Sequence, residues 1–103
     1  DITARQKESA AQYQKTVLVA FQEVEDALAA YKNVNDQAVI ARESVKESQA
    51  AYDIAKARFD AGAIDYLNLL VTQRSLYEEQ DNQIAIYQDQ IAAFVQLRKA
   101  LGA

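Results

Sequence analysis

The stretch RFDAGAIDYLNLL, residues 58–70, holds the interior glycine of a chain that has no proline and no other glycine until Gly102. Glycine leaves a helix most readily, because it takes a left-handed conformation without steric cost. Reading back from this break, a step of alternately three and four residues connects Ala10, Tyr13, Val17, Ala20, Val24, Ala27, Tyr31 and Val34. It continues through Ala38, Ala41, Val45, Ser48, Tyr52, Ala55 and Phe59. None of these positions is charged. They form an unbroken heptad seam, roughly 75 Å of helix at 1.5 Å per residue.

Beyond the glycine the same step resumes through Tyr66, Leu70, Gln73, Tyr77, Gln80, Ile84, Tyr87, Ile91, Phe94, Arg98 and Leu101. This second seam is more polar, yet it still has the helical period. Two seams joined by one break predict an all-α fold, a long antiparallel helical hairpin of coiled-coil type with its turn at Gly62. The expected bounds are a first helix over about 3–61, a tip over 61–65 and a second helix over about 66–101, in a single 1–103 unit. With Phe59 facing Tyr66, each step back along the first arm meets a step forward along the second. Tyr31 then faces Phe94, and several layers set a small residue against a large one. Asp65 suits the N-cap of the returning helix, its carboxylate accepting from first-turn amides.

The arms are unequal, so residues 1–23 find no partner within the hairpin. Yet VLVAFQEVEDAL, residues 17–28, is the most apolar part of the first arm. Apolar surface on several sides of one helix calls for several neighbours, and a lone two-helix hairpin is marginal in size. The seam residues Tyr13, Val17, Val24 and Tyr31, with Phe21 and Leu28 off the main seam, are therefore expected to carry self-association, through residues 13–31.

Composition excludes several functions. Half the residues are hydrophobic, a quarter are charged and the net charge is −4. Lysines and arginines are scattered among more numerous carboxylates, which argues against nucleic-acid binding. With neither histidine nor cysteine, the commonest bases, nucleophiles and soft-metal ligands are missing. The carboxylates Glu23, Glu25 and Asp26, like Glu78 and Glu79, have no converging partner and read as solvated helix faces. Neither an enzyme, a cofactor nor a metal site is expected. Asn33, Asn35 and Asp36 read as exposed helical positions, and the six tyrosines as seam packing. No run of about 18 apolar residues offers a membrane span. The chain has no signal-peptide pattern and no initial methionine, which reads as an excised or processed segment.

At the level of residues, TVLVAFQEVEDALAAY (16–31) resembles the opening of the long helix in TolC/OprM-like outer-membrane efflux proteins. ARFDAGAIDYLNLLVTQRSLY (57–77) resembles their periplasmic hairpin tip, and FVQLRKALG (94–102) the close of the returning helix. The tip pattern is an Arg, a Gly four residues on, a Tyr-Leu pair, a Leu-Leu pair and then Gln-Arg-Ser-Leu. The resemblance implies a piece of a homotrimeric channel with a β-barrel in the outer membrane and an α-barrel across the periplasm of a Gram-negative cell. This chain looks like the helical part of the second repeat. It would work with a membrane-fusion adaptor and an inner-membrane pump in tripartite efflux or type I secretion. By the same resemblance Arg58, Ala61, Gly62 and Ala63 fall in the adaptor-docking turn, and Leu67 at an apolar constriction. Where relatives often carry a gate carboxylate, six or nine residues after the tip glycine, this chain has Asn68 and Val71. A gate without that ring is expected to be more hydrophobic and less cation-selective. The alternative reading is a coiled-coil scaffold or adaptor unrelated to transport.

Overall fold

The computed structural model describes residues 2–102, so the two end residues of the expected 1–103 unit lie outside the described residues. It contains two helices, α1 (Ile2–Asp60) and α2 (Tyr66–Ala100), packed side by side in a rod of 90 × 17 × 16 Å.

The turn is built as its sequence requires. Gly62 has φ +76°. Around it the Gly62 N–H donates to the Phe59 carbonyl at 2.9 Å and the Ala63 N–H to the Arg58 carbonyl at 2.8 Å. That pair of bonds is the Schellman motif, which satisfies two carbonyls that the helix end would otherwise leave bare. Asp65 then caps α2 from an extended conformation, its Oδ1 accepting from the Asn68 N–H at 2.9 Å. Such a cap contributes about 1 kcal/mol to the helix it starts. Ile64 and Leu69 occupy the positions of a hydrophobic staple across this cap, Ile64 half-buried and Leu69 buried. Basic residues close both helices, Arg58 on α1 and Arg98 with Lys99 on α2, where they complement the dipole.

The expected register holds along the rod. The Phe59 and Tyr66 rings lie 5.7 Å apart at the tip, and the Tyr31 and Phe94 rings 6.0 Å apart near the other end. Between them the Gln90 Nε2 donates to the Asn35 side-chain Oδ1 at 2.9 Å. Asn35 is therefore half-buried at the seam, whereas the sequence reading had it as an exposed position. A polar pair at a coiled-coil seam fixes register at some cost in stability.

On α1 the seam is the expected one from Val24 to Phe59, with Ala27, Val34, Ala41 and Ala55 buried. On α2 it is displaced by one residue. Leu69, Leu76 and Leu97 are buried, whereas Leu70, Tyr77, Ile84, Tyr87, Ile91, Phe94 and Leu101 from the expected seam are exposed. One residue is about 100° of helix rotation, so these side chains lie at the edge of the contact or beside it, Phe94 at the edge where its ring meets Tyr31. Of the tyrosines, Tyr31 and Tyr52 are half-buried, while Tyr13, Tyr66, Tyr77 and Tyr87 are exposed. The core is thin: its seven buried hydrophobic residues are three alanines, one valine and three leucines, and among the described residues no large side chain is fully sealed.

Candidate functional site: the hairpin tip and its groove

The tip presents Ala61, Gly62 and Ala63 as exposed backbone, held rigidly by the Schellman bonds and the Asp65 cap. Nothing lies within 4 Å of where a Gly62 Cβ would stand. The glycine is needed for its backbone angle, and the space around it is open for an approaching partner.

Just below the turn the two arms form an open groove of about 480 Å³ lined by Ala51, Ile54, Ala55, Arg58, Ile64, Asn68, Val71 and Thr72. Helical spacing explains its composition. Ala51, Ile54, Ala55 and Arg58 follow one another at three- and four-residue steps on α1, as do Asn68, Val71 and Thr72 on α2. The structure thus brings together Arg58, Asn68 and Val71 of the sequence-predicted tip residues, with residues 61–63 at the end of the groove. Leu67 is 70% exposed and, four residues before Val71, shares its outward side of α2. Leu67 and Val71 together present an apolar pair to solvent at the start of the helix.

Electrostatically the tip is mixed. Arg58 is a cation at one wall of the groove, and Asp60 and Asp65 flank the turn. Further along, smaller grooves are lined by Glu47 with Ser48 and Ser75, and by Glu23 with Asp26. These grooves combine small side chains with carboxylates, and Arg74 with Glu78 forms an exposed ion pair at 3.2 Å further along α2. Among the described residues no group of acidic residues is arranged to hold a metal ion, and no helix is long and apolar enough to cross a membrane.

Ile54, Ile64 and Thr72 were missed by reading single seams. Each lies off its own seam, and the groove exists only once two arms are set side by side. The remaining predicted site residues sit elsewhere. Tyr13, Val17, Phe21 and Leu28 are exposed on α1, the first three where α2 does not reach, whereas Val24 and Tyr31 are half-buried at the start of the paired region.

Residues 3–103 match the family described as outer membrane efflux protein. The pyoverdine export outer membrane protein OpmQ of Pseudomonas putida is 41% identical over 99 residues, covering 96% of this chain and 21% of that protein. Its counterpart in Pseudomonas aeruginosa is 35% identical over 99 residues, with the same coverage of 96% and 21%. The toluene efflux pump outer membrane protein TtgF of Pseudomonas putida is 38% identical over 92 residues, covering 89% of this chain and 19% of that protein. The chain thus spans about a fifth of the length of the curated relatives it matches.

Proposed function

Because the chain belongs to the outer membrane efflux protein family, we propose that it forms the tip-bearing wall of the periplasmic conduit of an export channel. The family is one of non-enzymatic transport components, in keeping with a chain that lacks histidine and cysteine. The observation that carries the reading is the tip: a rigid turn whose exposed backbone ends a groove lined by Arg58, Asn68 and Val71.

In this reading Arg58, Ala61, Gly62 and Ala63 dock a periplasmic adaptor, which links the channel to an inner-membrane pump that supplies the energy. Leu67, Asn68 and Val71 stand at the entrance and act as its gate. Opening is a change in how hairpins pack on one another, with no bond made or broken. The relatives' names give pyoverdine and toluene as exported compounds, so the cargo class here is small organic molecules. Tyr13, Val17, Phe21, Val24, Leu28 and Tyr31 pack against other helices of a trimer. Exposed apolar side chains around several sides of residues 17–21 support that role.

The gate assignment has a direct electrical test. In the full-length protein reconstituted in planar bilayers, Val71→Asp should place a ring of carboxylates at the entrance and raise cation over anion permeability several-fold. An unchanged permeability ratio, with normal trimer formation, would remove Val71 from the entrance.

A further inference from the structure

Two neighbouring rows of α2 have the heptad spacing of a seam. One runs through Leu69, Leu76, Gln83, Gln90 and Leu97, and the other, one residue on, through Leu70, Tyr77, Ile84 and Ile91. The second row is the more apolar, and burial alone would turn it toward α1. Yet Tyr77, Ile84 and Ile91 are 54%, 58% and 50% exposed, while Gln83 and Gln90 are half-buried. Something other than apolar area chooses the side of α2 that faces its partner arm.

The half-buried flanks locate that choice. Near the tip α2 is covered on both sides of the first row, by Thr72 with Gln73 and by Glu79 with Gln80. Beyond Gln83 the cover shifts away from the second row, to Ile86, Ala93 and Ala100, with Phe94 reaching the Tyr31 ring at the other edge. Gln90 stands at the centre of this far half, where its Nε2 donates to Asn35 Oδ1 at 2.9 Å. Bonds such as Gln22 to Asp26, Gln49 to Asp53 and Gln73 to Tyr77 stay within one helix, whereas this one joins the arms. Asn35 is itself half-buried, next to buried Val34.

We propose that the Asn35–Gln90 bond is a rotational lock, which sets the first row of α2 and not the second against α1. Turning α2 by one row, about 100°, would carry Gln90 out of the seam and bring Ile91 beside Val34. Asn35 would then have no partner there, and a polar group buried without its bond opposes the turn. The lock spends some stability on specificity, as a polar pair in a seam does, and leaves the more apolar row turned outward. It does not rest on the export reading, and its test involves no transport.

The hairpin has no cysteine, so introduced pairs report the rotation in the full-length protein. Ala41, 2% exposed, lies in the seam of α1 at the level of Gln83 and Ile84. Ala41→Cys with Gln83→Cys reads the first row, and Ala41→Cys with Ile84→Cys reads the second. Disulfides are counted in protein that runs at the single-chain mass on a denaturing gel, which sets aside links between chains. The pair with position 83 should oxidise faster. Asn35→Leu removes the lock and offers Ile91 an apolar neighbour, so the ratio of the two rates should fall on the order of 10-fold. Adding Gln90→Leu matches the first row again and should return the ratio to near the parent value. A single variant that fails to accumulate, beside a double variant that accumulates with the parent ratio, also supports the lock, since each residue then matters through the other. An unchanged ratio in Asn35→Leu overturns the proposal. So do equal failure of the single and double variants, a double variant that keeps the single variant's ratio, and a parent whose pair with position 84 oxidises as fast.

Discussion

Leu76→Ala should destabilise the isolated hairpin by about 2–3 kcal/mol, near the low end for truncating a buried leucine. Leu76 is 4% exposed, the lowest value on α2, and the other two buried leucines lie at the ends of the arm. Its methyl groups have no substitute nearby, because the next seam positions toward the open end are Glu79, Gln80 and Gln83. The core is thin, so the two backbones can close part of the cavity, which keeps the loss below the upper range. Tyr77→Ala is the matched control. Tyr77 is 54% exposed and its hydroxyl meets only the Gln73 amide of the same helix, at 3.2 Å. In urea melts at concentrations too low for association, its cost should be under about 1 kcal/mol, the range of surface changes. Equal losses for the two variants, or a larger one for Tyr77→Ala, would mean that α2 presents its other seam to α1.

Gly62→Val should have the second large effect, with a different signature. At φ +76° a β-branched residue is a backbone outlier. The left-handed region costs an ordinary L-residue about 1–2 kcal/mol, with valine at or above the upper end. No steric clash adds to this, since the space beside the glycine is empty. The cost is therefore conformational, and Gly62→Asn, which tolerates that region, should recover much of it. Helix content by circular dichroism should be nearly unchanged, because both arms keep their own hydrogen bonds. In the full-length protein the valine variant should reach the outer membrane at normal level yet export poorly, and the asparagine variant should export better. Export unaffected by valine would detach the turn's geometry from function.

Much of this molecule was legible in its sequence, for reasons that can be located. The first seam was read correctly because α1 has one neighbour along its paired length, so its uncharged positions from Val24 to Phe59 mark one contact. The turn was legible because a lone glycine followed three residues later by Asp65 has few other uses. The second seam was read one residue away from the true contact. There the hydrophobic pattern is dominated by Leu70, Tyr77, Ile84 and Ile91, and a helix with apolar residues over a wide arc does not say which edge meets which neighbour. Leu69, Leu76 and Leu97 mark the edge that meets α1, with Gln83 and Gln90 between them in the same row. Polar residues within that row hid it. Asn35 was misread for a related reason, since its side chain is half-buried by a bond to Gln90 that only the register reveals. The groove at the tip was not legible, because Ile54 and Thr72 belong to different arms and meet only through the turn.

The central claim is that the turn around Gly62 meets a periplasmic partner. It is tested most directly by photocross-linking in living cells, with a photoreactive amino acid at position 63 of the hairpin in the full-length protein. The account predicts an adduct with the periplasmic adaptor of the export system, and none from position 39 on the flank of α1. Cross-links from position 63 that reach only other parts of the same channel, in cells where export is active, would contradict it.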